Sequence, residues 1–258
     1  MLLKAITFNV RCVDDRDGHA ILERAPRLAS ITAKYGADLM GFQEVKPAWE
    51  APLADLFGQD YEIFLSYRHH GWDKEGCALL LRKGQFEYLK QGHFWLSDTP
   101  EVESNGWDER CNHYRICQYA VLRHKESGTC FTVMNTHFGF GEEGQNKSAE
   151  LIAHYAKTLS DYPTFVMGDF NLQSVDAPYA ILTRHFTDVN AATAKDPRLT
   201  FHGYHPERHD PAEGPIDFFF ANSAVTPVDC VRITETVEGK FPSDHYGLCA
   251  VLEFPKEV

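Results

Sequence analysis

The sequence lacks the cysteine patterns of a disulfide-stabilised or typical zinc-binding protein. Its seven cysteines form no CxxC pair, and an odd number excludes a framework in which every cysteine is paired. Cys111, His113 and Cys117 could in principle hold a metal, but their spacing matches no usual zinc pattern. Buried or loop thiols in a reducing compartment are the favoured interpretation, and we therefore expect a cytoplasmic protein.

Long apolar segments are also lacking. No stretch approaches the roughly 20 apolar residues needed to cross a bilayer. The first nine residues, MLLKAITFN, have neither the apolar run nor the cleavage site of a signal peptide. These residues instead have the pattern of a β-strand, and we expect no association with a membrane.

An excess of positive charge is the third missing feature. The chain has 25 Lys and Arg against 37 Asp and Glu, a formal net charge of −12. Because a long polyanion is usually bound by a surface rich in Lys and Arg, long duplex DNA is an unlikely partner. A phosphorylated small molecule or a short single-stranded nucleic acid fits better, although the charge could serve only solubility. The sequence gives no indication of the oligomeric state.

The distribution of apolar residues predicts a fold with two β-sheets. With 43% hydrophobic residues and no seam in composition, residues 1–258 are predicted to form a single domain. Helical spacing is confined to 20–35, 147–160 and a short segment after Pro47. Many strands with few helices indicate an α+β chain whose sheets pack face to face beneath outer helices. The predicted strands are 2–9, 37–44, 61–66, 77–82, 114–122, 130–137, 163–168, 216–221 and 246–254.

Polar residues interrupt these apolar runs at the ends of the predicted strands. Asn9, Glu44, His137 and the pair Asp169 and Asn171 come at carboxyl ends, whereas Asp217, Asp244 and His245 come at strand starts. In mixed sheets, the ends of some strands and the starts of others share one rim. Such a cluster of oxygen ligands would suit Mg²⁺ or Mn²⁺, and its histidines would supply proton-transfer groups.

Each of these residues also has a purely structural interpretation. Asn9 or Asp169 could satisfy a turn, Glu44 could pair with Lys46, and His137 could be a hydrogen-bonded core histidine. The coincidence of all of them at strand termini favours a site for metal-assisted hydrolysis at phosphorus.

The ordered motifs resemble the endonuclease/exonuclease/phosphatase superfamily over essentially the whole chain. They are TFNVR at 7–11, FQEV at 42–45, NTHF at 135–138, GDFN at 168–171, PID at 215–217 and SDH at 243–245. The resemblance implies a four-layer α/β/β/α sandwich with two mixed sheets packed face to face, and a magnesium-dependent phosphoesterase activity.

The resemblance also implies roles for individual residues. Glu44, Asn9 and Asp244 would lie at or next to the metal, and Asp169 and Asn171 would orient or deprotonate the attacking water. His245, paired with Asp217, would stabilise the scissile phosphate. His137 would act on the other side as a candidate general acid, with Glu75 as the carboxylate that orients it.

Segments around 94–117 are similar to a deadenylase-like bacterial branch of the superfamily. Arg115 would be its phosphate-facing arginine, although a structural ion pair is the alternative. Trp107 is predicted to bind substrate, and Trp72 and Tyr204 could also stack on a base or sugar or could merely cover a core edge. The chain departs from this branch at Tyr114, Tyr119 and Gly139, so substrate contacts are less well predicted than the catalytic set.

Three functions are compatible with this pattern. The first is hydrolysis of a phosphomonoester or phosphodiester on a small or single-stranded substrate, by in-line attack of water. The second is a nuclease of the exonuclease III type, for which a broad basic face is missing; the histidine-rich loop 202–209 offers only a local patch. The third is a non-catalytic phospholigand-binding protein, which would be expected to have lost Glu44, Asp169, Asp244 or His245.

Overall fold

The computed structural model describes residues 1–71, 74–110, 113–193, 199–210 and 212–255. Within these ranges the strands form two six-stranded sheets. The first sheet has the strand order β11-β12-β1-β2-β4-β3 and the second the order β5-β6-β7-β8-β10-β9, in a numbering that follows the chain. The strands are β1 (Leu2–Asn9), β2 (Leu39–Val45), β3 (Tyr61–Tyr67), β4 (Gly76–Arg82), β5 (Phe86–Trp95), β6 (Ile116–His124), β7 (Cys130–His137), β8 (Thr164–Asp169), β9 (Thr187–Asp188), β10 (Asp217–Ala221), β11 (Thr226–Ile233) and β12 (Gly247–Glu253).

The helices lie between these strands and begin where local signals favour them. At the first helix, the Glu23 side chain accepts a hydrogen bond from the Ala20 backbone N–H at 3.1 Å and so caps an unpaired donor. None of the helices in the described ranges is long and apolar enough to cross a bilayer. The helices are α1 (Ile21–Ala33), α2 (Glu50–Phe57), α3 (Glu142–Thr158), α4 (Ala177–Thr183) and α5 (Val189–Thr193), with 3₁₀ turns at Pro47–Trp49 and Pro206–Arg208.

The two sheets pack face to face through their apolar inner faces. Leu39 and Leu79 of the first sheet belong to the same buried cluster as Phe131, Phe165 and Phe219 of the second. Because side chains alternate along a strand, neighbouring residues point to opposite faces, so both faces of these strands need cover.

Helices provide that cover on both outer faces. Leu28 and Ile31 of α1 pack with Phe42 on the outside of the first sheet. Ile152 of α3 and Leu182 of α4 pack on the outside of the second sheet. The four layers are therefore α/β/β/α, and the predicted fold is confirmed.

Sequence patterning found the central strands but missed elements at the edges. β5 and β11 are edge strands with many exposed or half-exposed positions, so they lack the continuous apolar run that marks a buried strand. The seven residues of α4 are too few for a clear helical period. The α3 helix begins at Glu142, five residues before the predicted start at 147, because its first turn is polar and carries Glu142 and Glu143.

Strand register brings the motif residues to one rim. β1 and β2 run parallel, and so do β7 and β8, which places His137 opposite Asp169. β10 runs antiparallel to β8, so its first residue, Asp217, also lies opposite Asp169. The ends of parallel strands and the start of an antiparallel one therefore meet at a single edge.

Candidate active site

A cleft of about 590 Å³ opens at this rim. Its volume is in the range of pockets that bind small ligands. Its lining residues are Arg11, Cys12, Glu44, Arg68, Glu75, Arg110, His113, Arg115, His137, Phe140, Asp169, Asn171, Leu172, Gln173, Asp176, Phe201, Ile216, Asp244 and His245. We call Glu44, Asp169 and Asp244 of this lining, together with Asp217, which pairs with His245, the carboxylate wall, and Arg68, Arg110 and Arg115 the arginine wall.

Glu44 is held as a carboxylate by hydrogen bonds from both sides. Asn9 Nδ2 donates to its Oε1 at 3.1 Å and the Cys12 backbone N–H donates to its Oε2 at 2.8 Å. Burial raises the pKa of Glu44, but the hydrogen bonds from Asn9 and Cys12 act in the opposite direction, and the pKa is held below its usual value. The carboxylate is therefore charged at neutral pH.

Asp244 stands beside Glu44 at the same rim. Burial raises the pKa of Asp244 and the charge of Glu44 raises it further, while His245 and Arg11 act in the opposite direction. Arg11 Nε lies 3.5 Å from Asp244 Oδ2. The preceding Ser243 anchors the loop to the first strand, since its Oγ donates to the Asn9 carbonyl at 2.6 Å.

Asp169 lies at the centre of the cleft, where β8 turns sharply. Gly168 has φ 152°, and a Cβ there would come within 2.0 Å of the Thr136 carbonyl oxygen, so the GDFN motif requires glycine. Asn9 Nδ2 donates to Asp169 Oδ2 at 2.9 Å and the Asn171 backbone N–H donates to Oδ1 at 2.9 Å. Burial and the neighbouring charge of Asp217 raise the pKa of Asp169 to about 7.

His245 and Asp217 form a buried pair. His245 Nδ1 donates to Asp217 Oδ2 at 2.9 Å, and His245 Nε2 lies 3.8 Å from Asp169 Oδ2. Thr200 Oγ1 accepts the Asp217 backbone N–H at 3.1 Å and so fixes the start of β10. Burial lowers the pKa of His245, but the charges of Asp217, Asp169 and Asp244 outweigh it and raise that pKa to about 10.

His137 approaches Asp169 from the opposite side. Its Nε2 lies 3.5 Å from Asp169 Oδ2, and its Nδ1 lies 3.7 Å from Glu75 Oε1, beyond direct hydrogen-bond distance. Burial and the charge of Arg115 lower the pKa of His137 well below its usual value. The imidazole is therefore neutral at pH 7, which suits a hydrogen-bond donor better than a general acid.

Arg115 lines the cleft, and it forms the structural ion pair that was the alternative to its predicted role as a phosphate-facing arginine. Its Nε and Nη2 each lie 3.1 Å from Asp108 Oδ2. Asp108 packs against Gly139, where a Cβ would lie 2.8 Å from the Asp108 Cβ, so a side chain at position 139 would displace it. Glu75 Oε1 lies 2.5 Å from Arg68 Nη1 and 3.9 Å from Arg115 Nη1, and so contacts two arginines.

Four residues singled out in the sequence lie elsewhere or outside the described ranges. Trp107 lines a separate shallow groove with Leu151 and Ile181, so the structure does not bring it to the catalytic set. Tyr204 stacks on His19 at 3.9 Å rather than lining the cleft. Trp72 and Cys111 lie outside the described residues.

In the histidine-rich loop 202–209, His202 is buried, whereas His205 and Arg208 are exposed. His202 is fully buried against Phe241 and Tyr246, with ring centroids 4.4 and 4.2 Å away. Its backbone N–H donates to the Asp244 carbonyl at 2.9 Å. His202 therefore helps to hold the backbone of Asp244 in place.

The donor set fits a divalent cation. Glu44 and Asp244 offer hard carboxylate oxygens at one end of the cleft, where their negative charges repel each other. Among the described residues, Arg11 is the arginine or lysine that forms an ion pair with Asp244. Oxygen ligands of this kind suit Mg²⁺ or Mn²⁺. Asn9 Oδ1 accepts the Arg11 backbone N–H at 3.0 Å, so Asn9 joins Glu44 to Asp169 rather than facing the cleft freely.

A second group of possible metal ligands is Asp169, Asp217 and His245, whose ligand atoms lie within 4.8 Å of one another in the described part of the chain. His245 Nδ1 is occupied by Asp217, so a metal there would bind through Nε2, the remaining ring nitrogen. The raised pKa of His245 keeps the ring protonated, and a cationic imidazolium must lose a proton before it binds a metal, which makes this group the less favourable of the two.

Several cleft residues carried no prediction of their own. Arg11 belongs to the TFNVR motif, and Asp108 follows Trp107 in the segment already compared with the bacterial branch, so both had a signal. Arg110 and Phe140 lie in connecting segments without a recognisable pattern, and only the tertiary structure brings them to the cleft.

Comparison with known proteins agrees with this geometry. The model of the family described as "Endonuclease/Exonuclease/phosphatase family" matches residues 6–245. A Bacteroides vulgatus protein of that description is 28% identical, with a TM-score of 0.89, and the match covers 99% of this chain and 100% of the other. A mannosyl-6-phosphatase from Bacteroides thetaiotaomicron VPI-5482 is 26% identical, with a TM-score of 0.84 and coverage of 98% and 100%.

A viral protein is also similar to part of this chain. An uncharacterised protein of Acanthamoeba polyphaga mimivirus is 28% identical over 156 residues, which cover 57% of this chain. The chain spans 58% of that relative's length.

Proposed function

The chain belongs to the endonuclease/exonuclease/phosphatase family, and from this premise we propose that it is a Mg²⁺- or Mn²⁺-dependent hydrolase of small phosphate esters. The observation that carries the proposal is the position of Asp169. Its carboxylate lies 3.5 Å from His137 Nε2 and 3.8 Å from His245 Nε2, inside the cleft that Glu44 and Asp244 also line.

Asp169 and Asn171 are assigned to the attacking water. A carboxyl group with a pKa of about 7 can accept a proton from water near neutral pH. The Asn171 side chain is held by donation from its Nδ2 to the Phe138 carbonyl at 3.0 Å, which leaves its Oδ1 to orient the water. This arrangement supports an in-line attack on phosphorus.

The two histidines are assigned to the phosphate. His245, kept cationic by Asp217, would stabilise the charge that develops on the phosphate oxygens. His137, neutral and buried, would donate a hydrogen bond from the other side. Because both donors are fixed before substrate binds, little reorganisation is needed at the transition state.

Glu44 and Asp244 are assigned to the divalent cation, with Asn9 holding Glu44 in place. The cation, when bound, would neutralise charge on the phosphate. The excess of acid at this end of the cleft supports that assignment, because a phosphate dianion would otherwise be repelled.

A small substrate is supported by three observations. The cleft has a volume of about 590 Å³, which suits a molecule of sugar-phosphate size. The net charge of −12 disfavours a long polyanion. The 26% identical relative over almost the whole chain is a mannosyl-6-phosphatase, which favours a sugar phosphate as the substrate class for this chain.

The test is a hydrolysis panel measured with Mg²⁺, with Mn²⁺ and with chelator. It would include p-nitrophenyl phosphate, bis-p-nitrophenyl phosphate, mannose 6-phosphate, glucose 6-phosphate, and single-stranded and duplex oligonucleotides. We expect metal-dependent release of phosphate from a sugar phosphate. A clear preference for oligonucleotides would instead support a nuclease, and metal binding without turnover of any ester would support a phospholigand-binding protein.

A further inference from the structure

The arginine wall contains two arginines that are neutralised and one that is not. Arg68 is paired with Glu75 and Arg115 with Asp108, and both arginines are buried. Arg110 is exposed, and no carboxylate among the described residues lies within ion-pair distance of its guanidinium. In a chain with an excess of acid, an uncompensated cation at the mouth of a cleft is a distinctive feature.

Arg110 is also held in position by an aromatic ring. Its guanidinium carbon lies 4.5 Å from the centroid of the Phe140 ring, and that of Arg115 lies 5.9 Å from the same ring. Its own backbone N–H donates to Asp108 Oδ1 at 3.2 Å. Stacking on a ring leaves the edge of the guanidinium plane, which carries the N–H donors, available to a ligand.

A continuous series of contacts links this arginine to the proposed reaction centre. His137 contacts Asp169, Glu75 lies 3.7 Å from His137, Arg115 lies 3.9 Å from Glu75, and Phe140 separates Arg115 from Arg110. Arg110 therefore belongs to the same cleft but is separated from Asp169 by several side chains. In this series of contacts Arg110 comes after Arg115, so a second group on the same small molecule could reach it while the scissile phosphate stays with the residues around Asp169.

We propose that Arg110, stacked on Phe140, binds a second anionic group of the substrate, which is therefore a small phosphate ester carrying another phosphate or carboxylate. This inference rests on the proposed function. A planar guanidinium can bind two oxygens of such a group at once. The remaining charged lining of that part of the cleft is already paired, so the second anion would meet Arg110 as its principal cation.

The test compares the binding of one-ended and two-ended probes by calorimetry at fixed free Mg²⁺. The probes are methylphosphonate and α,ω-alkane bisphosphonates of increasing chain length, none of which can be hydrolysed. We expect the best bisphosphonate to bind the full chain at least about 10-fold tighter than methylphosphonate, beyond the factor of two from its two equivalent ends. Arg110→Gln should reduce that ratio to about two.

Arg123→Gln is the matched control because it removes the same charge at the far end of β6, where Arg123 pairs with Glu87 on an exposed surface. It should leave the ratio at the wild-type value. An unchanged ratio in Arg110→Gln, or no preference for bisphosphonates in the wild type, would overturn the inference. A 5′-phosphorylated trinucleotide is a further probe. If Arg110→Gln weakened the binding of this trinucleotide alone, the inference would be overturned in favour of nucleic-acid binding.

These binding measurements need no turnover, so they are independent of the proposed function. Hydrolysis of the ester panel described above by the wild type and by Asp169→Asn tests that function separately. If no ester were hydrolysed but the wild type still preferred bisphosphonate to methylphosphonate and Arg110→Gln did not, the proposed reaction would be refuted and the second anion site would not.

Discussion

The two walls of the cleft are positioned in different ways. Members of the carboxylate wall lie in or next to strands whose register is fixed by backbone hydrogen bonds, as with Asp217 opposite Asp169. In the arginine wall, Arg68 and Arg115 directly adjoin β3 and β6, but their guanidinium groups are held by side-chain pairs such as Arg115 with Asp108, and Arg110 lies in the connection between β5 and β6. We infer that the first wall sets the chemistry and the second sets which molecule is bound. Substitutions in the two walls should therefore change different kinetic constants.

The largest effect is expected for Asp169→Asn. The substitution removes the group that would accept the proton of the attacking water, and kcat should fall by about 10³-fold or more. Circular dichroism and the melting temperature should remain near wild type, since the amide is isosteric. Asp161→Asn, an equivalent change at an exposed loop residue, is the control. A kcat within 10-fold of wild type would remove Asp169 from the mechanism.

Glu44→Gln should have its main effect on the metal. Loss of one carboxylate charge should raise the Mg²⁺ concentration for half-maximal activity by about 10-fold, because a neutral amide is a weaker ligand for a hard cation. Activity is titrated against free Mg²⁺, and Mn²⁺ binding is followed directly by electron paramagnetic resonance. Glu62→Gln on the exposed face of β3 is the control. An unchanged titration would place the cation elsewhere, for example at Asp169, Asp217 and His245.

Arg115→Lys should test the arginine wall. Lysine keeps the charge but cannot match the planar fork that contacts Asp108, so we expect KM to rise by about 5-fold with kcat changed less than 2-fold. Steady-state kinetics on the preferred ester of the panel separates the two constants. A fall in kcat with constant KM would contradict the division of labour between the walls and assign Arg115 to the transition state.

The smallest effect is expected from His202, which lies behind the carboxylate wall. Burial and the charge of His245 lower its pKa to about 3, so the unfolded chain takes up a proton near pH 6.5 that the folded chain does not. Stability is therefore lost as pH falls from about 6.5 toward 3, and the step from pH 7 to 6 should cost about 0.7 kcal/mol. His202→Asn should reduce this pH dependence in urea unfolding at the two pH values. An equal dependence in both proteins would contradict a buried neutral His202.

The contrast between residues in buried strands and residues in edge strands or loops also explains which parts of the fold and the site could be predicted from the sequence. Strands such as β8 and β10 are apolar on both faces, and their terminal residues Asp169 and Asp217 stood out because a carboxylate interrupts an apolar run. Edge strands β5 and β11 gave no such signal because half of their surface faces solvent. Trp107 was predicted to bind substrate because it is aromatic. It lies in a loop, where the sequence does not determine the direction of a side chain, and it faces a different groove.

The sequence by itself determined the sandwich fold, the identity of the carboxylates and histidines at the rim, and the overall excess of acid. These features depend on local alternation, on strand termini and on composition, all of which are properties of neighbouring residues. Tertiary structure alone decided that Asn9 joins Glu44 to Asp169, that Asp108 neutralises Arg115, and that no carboxylate among the described residues pairs with Arg110. Charge pairing and pKa depend on distances between residues far apart in the chain, and those distances exist only once the two sheets have packed together.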